Sequence, residues 1–212
     1  MVAQETVLHL AETVTVTVAP DELAATLRAE AIAPTPQDAQ RRVNDMMRDA
    51  LDSVKKVSGV TAATEMYNAF RIGATPQDRM ERWQAGQTIN LAGKDGEATL
   101  KLVGDLQQKG LVESSLGWRL SRETERAARK EATKQALSQL RGRADDAAEI
   151  LGLQFASFRD VRLDSVTQPP IIPRQQGFVA RGAASTAQPP SAEFEDLPVS
   201  ASAEADILLK PR

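Results

Sequence analysis

Side chains that could perform catalysis are few and scattered in this sequence. It contains no cysteine, which excludes disulfides, thiolate nucleophiles and thiolate metal ligands. His9 is its one histidine and falls on the polar side of an alternating segment, so we expect it at a strand surface or edge rather than in a catalytic triad or a histidine-rich metal site. No GxSxG, HExxH, P-loop or GxGxxG pattern occurs. We therefore expect no enzymatic activity, catalytic residue, cofactor or metal.

Basic side chains are concentrated along a long helical segment. One interpretation is a solvated helix face crossed by ion pairs. The other is a docking surface for an acidic partner, in particular the stretch Glu193-Phe194-Glu195-Asp196 of a neighbouring subunit, with Arg126, Arg129 and Lys130 as the candidate contacts. The long segment and its approach carry the basic residues Arg119, Arg122, Arg126, Arg129, Lys130, Lys134, Arg141 and Arg143 against the acidic residues Glu123, Glu125 and Glu131.

A proline-rich stretch covers residues 168–198 and holds six of the eleven prolines. Segments of this length without regular structure are uncommon inside compact domains and tend to be either functional or disordered. The stretch is thus either an excursion of the chain or an arm that orders against another copy. For the arm, the candidate contacts are Ile171, Ile172, Phe178 and Phe194, because aromatic and aliphatic side chains dominate interface energies.

The elements that must position these residues begin with two alternating segments. From Leu8 to Val18, apolar and β-branched residues alternate with polar ones, which is typical of a half-buried strand. Pro20-Asp21 supplies turn chemistry, and a second alternation follows from Leu23 to Ala31. The pattern predicts a β-hairpin at the start of the chain.

Three helices are predicted from their caps and apolar stripes. Thr35 precedes Pro36 and a stripe of more than five turns, Asp95 precedes a short helix, and Ser121 precedes the longest helix, at about 122–151. Alanines fill one face of the longest helix, which indicates close approach to a sheet or another helix. We expect Met46, Met47 and Met66 to fill the core rather than to scavenge oxidants.

The remaining extended segments complete an α+β fold in the order ββαββαβαββ. Irregular helix spacing argues against a doubly wound fold, and the two predicted hairpins favour a mainly antiparallel or mixed sheet with amphipathic helices packed on it. A single domain over residues 1–212 is predicted, with the proline-rich loop at 168–198 and a returning strand at 199–210. Further strands are predicted at 60–72, 81–92, 112–120 and 153–166, with a turn at 75–78 between the first two.

Charge and hydropathy argue against a nucleic-acid partner and against a transmembrane segment. The 26 basic and 29 acidic side chains leave a net charge of -3, unlike the basic balance of a dedicated nucleic-acid binder, so no nucleic-acid partner is expected. No apolar run approaches the roughly 20 residues that cross a bilayer, so no transmembrane segment is expected. The first residues lack the basic start and apolar stretch of a signal peptide.

At this point the sequence resembles the SIMPL domain family. The resemblance rests on the opening strand and turn Thr13-Val14-Thr15-Val16-Thr17-Val18-Ala19-Pro20-Asp21, the strand entry Trp83-Gln84-Ala85, and the helix end Ala147-Ala148-Glu149-Ile150-Leu151-Gly152. It runs from about Val7 to Leu209. The pieces occur in the order that the family shows.

The resemblance implies a bacterial periplasmic or envelope protein, large oligomers in some members, and links to oxidative-stress tolerance in others. It also implies an exported chain whose signal peptide has been removed, with Ala3-Gln4-Glu5 close to the mature start. On this basis we expect a self-assembling protein, with a further envelope protein as a possible partner. The alternative is a small-ligand binder or an enzyme with a pocket between sheet and helices near Tyr67, Trp83 and Trp118.

Overall fold

The computed structural model describes residues 6–73, 81–163 and 195–212. Within this part of the chain, strands and helices follow one another in the predicted order, so the α+β class is confirmed. The strands are β1 (Thr6–Val18), β2 (Glu22–Ala33), β3 (Val60–Ile72), β4 (Arg82–Gly93), β5 (Val112–Arg119), β6 (Leu153–Leu163) and β7 (Leu197–Pro211). The helices are α1 (Pro36–Val54), α2 (Gly96–Gln108) and α3 (Arg122–Ile150).

The described residues form two compact units. The first, here called the long-helix unit, comprises residues 6–19, 120–163 and 196–212. The second, here called the two-helix unit, comprises residues 20–73, 81–119 and 195. The prediction of one domain over 1–212 stays a prediction, and its proline-rich loop falls mostly outside the described residues.

The two-helix unit is a four-stranded antiparallel sheet in the order β3-β4-β2-β5. With the helices included, the order along the chain is βαββαβ, the split β-α-β arrangement of ferredoxin-like folds. Both helices contribute to one core cluster on a single face of the sheet, where Leu27, Ile89 and Leu91 meet Val43 and Leu102. Neither α1 nor α2 covers the opposite face.

All three helices begin at the residues that the sequence indicates. The side-chain oxygen of Thr35 accepts a hydrogen bond from the backbone N–H of Asp38 at 3.2 Å. Asp95 and Ser121 cap the other two helices in the same way. Such caps satisfy backbone N–H groups that have no partner within the helix.

The long-helix unit is a three-stranded antiparallel sheet in the order β1-β7-β6, with α3 packed on one face. The helix presents Ala136, Ala144 and Ala148 to Ala203 and Ala205 of the central strand, and each of these side chains is almost fully buried. A methyl group lets the helix backbone approach the sheet more closely than leucine would. The expectation of close approach along the alanine face is confirmed.

The predicted opening hairpin is wrong. β1 pairs with β7 over its whole length, from Thr6 opposite Leu209 to Val18 opposite Leu197. β2 pairs instead with β4 and β5 in the other unit. A Pro-Asp turn fixes a local change of direction but not the partner of either strand, because partners are set by which apolar faces are buried together. The second hairpin, β3 with β4, is confirmed.

The expectations for the methionines, the turn at 75–78 and a membrane span have different outcomes. Met47 is buried and Met46 packs against the core, but the expectation that Met66 fills the core is wrong, since 71% of it is exposed. Met66 occupies a bulge of the outer strand β3, where the register with β4 shifts. The predicted turn at 75–78 lies outside the described residues. No described helix is long and apolar enough to span a membrane.

Candidate functional site

An open groove on the long-helix unit brings the three predicted basic contacts together. It lies between the N-terminal half of α3 and the end of β6, with a volume of about 520 Å³. Arg126, Arg129 and Lys130 are all part of its lining, so the structure places them on one surface. The complete lining, here called the basic groove, is Arg126, Arg129, Lys130, Thr133, Lys134, Leu137 and Leu163.

Three of the four cations of the basic groove differ in their pairing from Arg129, the fourth, and from Arg141 further along the same helix. Arg129 pairs with Glu125 at 2.9 Å, and Arg141 pairs with Asp145 at 2.9 Å. Arg126, Lys130 and Lys134 are exposed and form no ion pair with any carboxylate of the described residues. These three residues follow one another at four-residue spacing along the helix.

This spacing makes the row electrostatically unfavourable for the free chain. Side chains four residues apart on a helix are neighbours, and like charges at that separation destabilise it. Solvent and salt screen the repulsion at an exposed surface, so its effect on folding is small. A carboxylate placed over the row would interact favourably with more than one cation at once.

The wall of the basic groove that β6 provides is apolar. Leu163 lies opposite Ala203 and Val161 opposite Ala205, and both alanines are buried beneath α3. Leu163 is 48% exposed and Val161 is 41% exposed, although they belong to the same face of the sheet. The helix therefore leaves the outer strand partly uncovered, and apolar surface continues from the groove along β6.

Exposed carboxylates stand immediately before the central strand of this unit. Glu195 and Asp196 are both exposed, and neither forms an ion pair with a described residue. In the sequence they follow Glu193 and Phe194. The predicted contacts Ile171, Ile172, Phe178 and Phe194 lie outside the described residues, so their role stays a prediction.

The histidine lies on the helix-free face of the same sheet. His9 Nδ1 is 2.5 Å from Asp206 Oδ1, as expected from the register in which these two residues face each other. The histidine side chain is 74% exposed, which confirms a surface position. Beside it, Asp160 and Arg162 pair at 2.7 Å and help to line a shallow cavity of about 270 Å³.

No cluster suited to a metal ion is present among these side chains. Within residues 6–73, 81–163 and 195–212, no three histidine, aspartate or glutamate side chains lie close enough to hold one. Three carboxylates, Asp160, Glu204 and Asp206, line the shallow cavity together with Arg162 and His9. Asp160 pairs with Arg162, and Asp206 pairs with His9. Two of the three carboxylates therefore already have a partner within the cavity.

The aromatic pocket suggested as an alternative is not assembled in the two-helix unit. On β2, Ala33 faces Trp83 and Leu23 faces Trp118. Ten residues of strand separate these positions, or about 33 Å at the rise of a β-strand. Trp118 packs over Gly96 at the start of α2, and 43% of Tyr67 is exposed on β3. The three rings therefore line no common cavity.

Four residues of the basic groove, Thr133, Lys134, Leu137 and Leu163, were not among the contacts predicted from the sequence, although Lys134 belongs to the run of basic residues named there. Lys134 continues the four-residue spacing of Arg126 and Lys130, so the helix period would have found it. Leu137 follows on the same side of the helix. Leu163 belongs to a strand that meets α3 only in the folded chain, and no local pattern indicates it.

Comparison with known proteins assigns the chain to a family. Residues 8–207 match SIMPL, described as "Protein of unknown function (DUF541)". The match covers most of the chain, so this protein belongs to the SIMPL family. No curated protein matches the sequence.

Solved structures share only remote likeness with the chain. A de novo designed protein, Foldit4, is 14% identical with a TM-score of 0.29, over 48% of this chain and 99% of its own. A putative amidohydrolase/peptidase from Burkholderia cenocepacia is 14% identical with a TM-score of 0.29, over 61% of this chain. AtUAH in complex with glyoxylate is 10% identical with a TM-score of 0.28, over 60% of this chain. The chain spans 35% and 33% of the latter two proteins.

Proposed function

We propose that this protein acts without catalysis, by associating with further copies of itself in the bacterial periplasm, and that the assembly supports tolerance of envelope or oxidative stress. The periplasmic location and the stress role follow from the family resemblance. Self-association is supported by a feature of the fold, namely the position of its exposed apolar side chains.

Large apolar side chains are exposed along two outer strands. On β6, the exposed fractions are 37% for Phe158, 41% for Val161 and 48% for Leu163. On β3, they are 71% for Met66 and 47% for Phe70. Apolar surface grouped on one strand, and rimmed by polar side chains, is characteristic of protein–protein contacts. This grouping is the observation that carries the proposal.

The proposal is tested by the mass of the protein in solution. We expect an assembly heavier than the 22.9 kDa chain when light scattering is measured during gel filtration at micromolar concentration. The measurement should be made in about 0.1 M and about 1 M NaCl, where the screening lengths are about 10 Å and about 3 Å. A mass that falls at high salt would indicate that charges contribute to association. A strict monomer under both conditions would contradict self-association.

A further inference from the structure

We propose that the basic groove is the surface on which a second copy docks, and that Glu195 and Asp196 of that copy supply the complementary charge. The inference rests on the proposed self-association and adds which two surfaces meet. Three observations carry it: the unpaired row of cations, the apolar wall beside that row, and the exposed acidic pair.

The charges of the two surfaces are complementary. Arg126, Lys130 and Lys134 have no carboxylate partner among the described residues, and neither Glu195 nor Asp196 has a cationic one. Bringing the acidic pair over the row relieves the repulsion between neighbouring cations and replaces it with attraction. Other cations of α3, such as Arg141 and Arg143, already have partners and offer no comparable site.

The apolar wall explains why the contact would be more than a charge pair. Exposed ion pairs alone contribute little to affinity, because solvent screens them. Leu137 and Leu163 line the groove below the cations, and Val161 extends this surface along β6. A docked chain would remove these side chains from water, which supplies the favourable term that surface charges lack.

Charge also argues against a symmetric pairing of two β6 strands. The exposed end of this strand carries Arg159 and Arg162 against the single carboxylate of Asp160. Two copies related by a twofold axis at this strand would bring two basic grooves together. The register with β7 also shifts twice along β6, and such bulges hinder the addition of a further strand. An acidic surface from a different part of the second copy fits better.

The resulting contact is heterologous, because it joins two different surfaces of the same chain. Each copy then has one groove and one acidic pair to offer, so binding of one partner leaves the other surface available. Assembly would proceed head to tail until it closes.

The test uses two charge-reversal variants of the full chain. One carries Arg126→Glu with Lys130→Glu, and the other carries Glu195→Lys with Asp196→Lys. Each variant alone should associate about tenfold or more weakly than the unmodified protein, since attraction is replaced by repulsion. Mixed in equal amounts, the two variants should assemble again, because each reversed surface then meets its complement on the other protein. Recovery in the mixture would also show that both variants are folded.

A matched control is Lys101→Glu, which reverses an exposed cation on α2 in the other unit. It should leave the assembly mass unchanged. The same measurements should be made on a chain that carries all four reversals.

The outcomes separate the two proposals. An unmodified protein that is monomeric would overturn self-association and the groove contact together. If each reversal variant, measured alone, assembles as well as the unmodified protein, the groove contact alone is overturned. A further outcome is that the chain with all four reversals assembles while the mixture of the two variants does not. In that outcome the acidic pair occupies the groove of its own chain, and docking of a second copy is overturned.

Discussion

Two glycines near the C-terminal end of α3 have opposite conformational requirements. Gly142 lies within the helix, and no atom would clash with a β-carbon there. Gly152 follows the helix end with φ of +71°, a left-handed conformation that side chains with a β-carbon disfavour. The same substitution should therefore have opposite effects at the two positions.

We expect Gly142→Ala to raise the free energy of unfolding by about 0.5–1 kcal/mol, since alanine restricts the unfolded chain and suits the helix. Gly152→Ala should lower it by about 1–2 kcal/mol through left-handed strain. Urea unfolding followed by circular dichroism measures both. Equal effects of the two substitutions would show that backbone conformation does not govern them.

Neighbouring cations lower the pKa of Asp52 on α1. A hydrogen bond from Lys55 Nζ at 2.9 Å, and then the charge of that lysine, hold the pKa of this carboxyl below its ordinary value. A lowered pKa means that the ionised carboxylate favours the folded state above the pKa of the unfolded chain, and that this contribution fades as the pH falls through the folded-state pKa.

Asp52→Asn should accordingly reduce stability slightly at neutral pH and not at all in strong acid. The difference should also shrink at high salt, because both side chains of the pair are exposed to solvent. Urea unfolding of both proteins over a range of pH measures the effect. A difference that grows on acidification would contradict this sign.

Residue types indicated part of the candidate site. Arg126, Arg129 and Lys130 were predicted as contacts from a run of charge on one helix, and the structure places them in one groove. Their pairing was not predictable, because whether a cation has a carboxylate nearby depends on rotamers and on strands distant in sequence. Arg143 shows this, since it pairs with Glu12 on β1, 131 residues away.

At the scale of elements, the alanine face of α3 determines how closely helix and sheet pack. Ala136 is fully buried against the sheet of the long-helix unit, whereas Ala127 is exposed on the same helix. The two positions allow packing to be separated from helix propensity, which is similar for alanine and leucine.

We expect Ala136→Leu to destabilise the protein by about 1–3 kcal/mol, because a well-packed core accommodates added methylenes only by shifting side chains or backbone. Ala127→Leu should change stability by less than about 0.5 kcal/mol. Thermal or urea unfolding of both variants tests this. A harmless Ala136→Leu would mean that the interface contains unfilled space.

Elements were predictable where their signals are local. Caps and helical stripes placed all three helices, and the alternation from 199 to 210 found β7 with small errors at its ends. Strand partners were not predictable in the same way. The strand after Pro20-Asp21 belongs to a different unit from the strand before it, and only the pairing of β1 with β7, nearly 200 residues away in the chain, reveals this.

At the scale of the whole molecule, the two units differ in how far apart in the sequence their strands lie. Among the described residues, the two-helix unit lies within one stretch of the chain, from residue 20 to residue 119, together with Glu195. The long-helix unit takes its outer strand β1 from the beginning of the chain and its central strand β7 from the end. Contacts of such sequence separation close large loops, so this unit should fold more slowly than one built from local contacts.

Within the described part of the chain, bulges interrupt the hydrogen-bonding register on three of the four outer strands. The shifts lie at Met66 on β3, between β2 and β5, and twice along β6. An irregular rim is a poor template for stacking identical strands, so runaway growth into cross-β fibres is disfavoured. Under the proposed self-association, copies would therefore meet through side chains rather than through added strands.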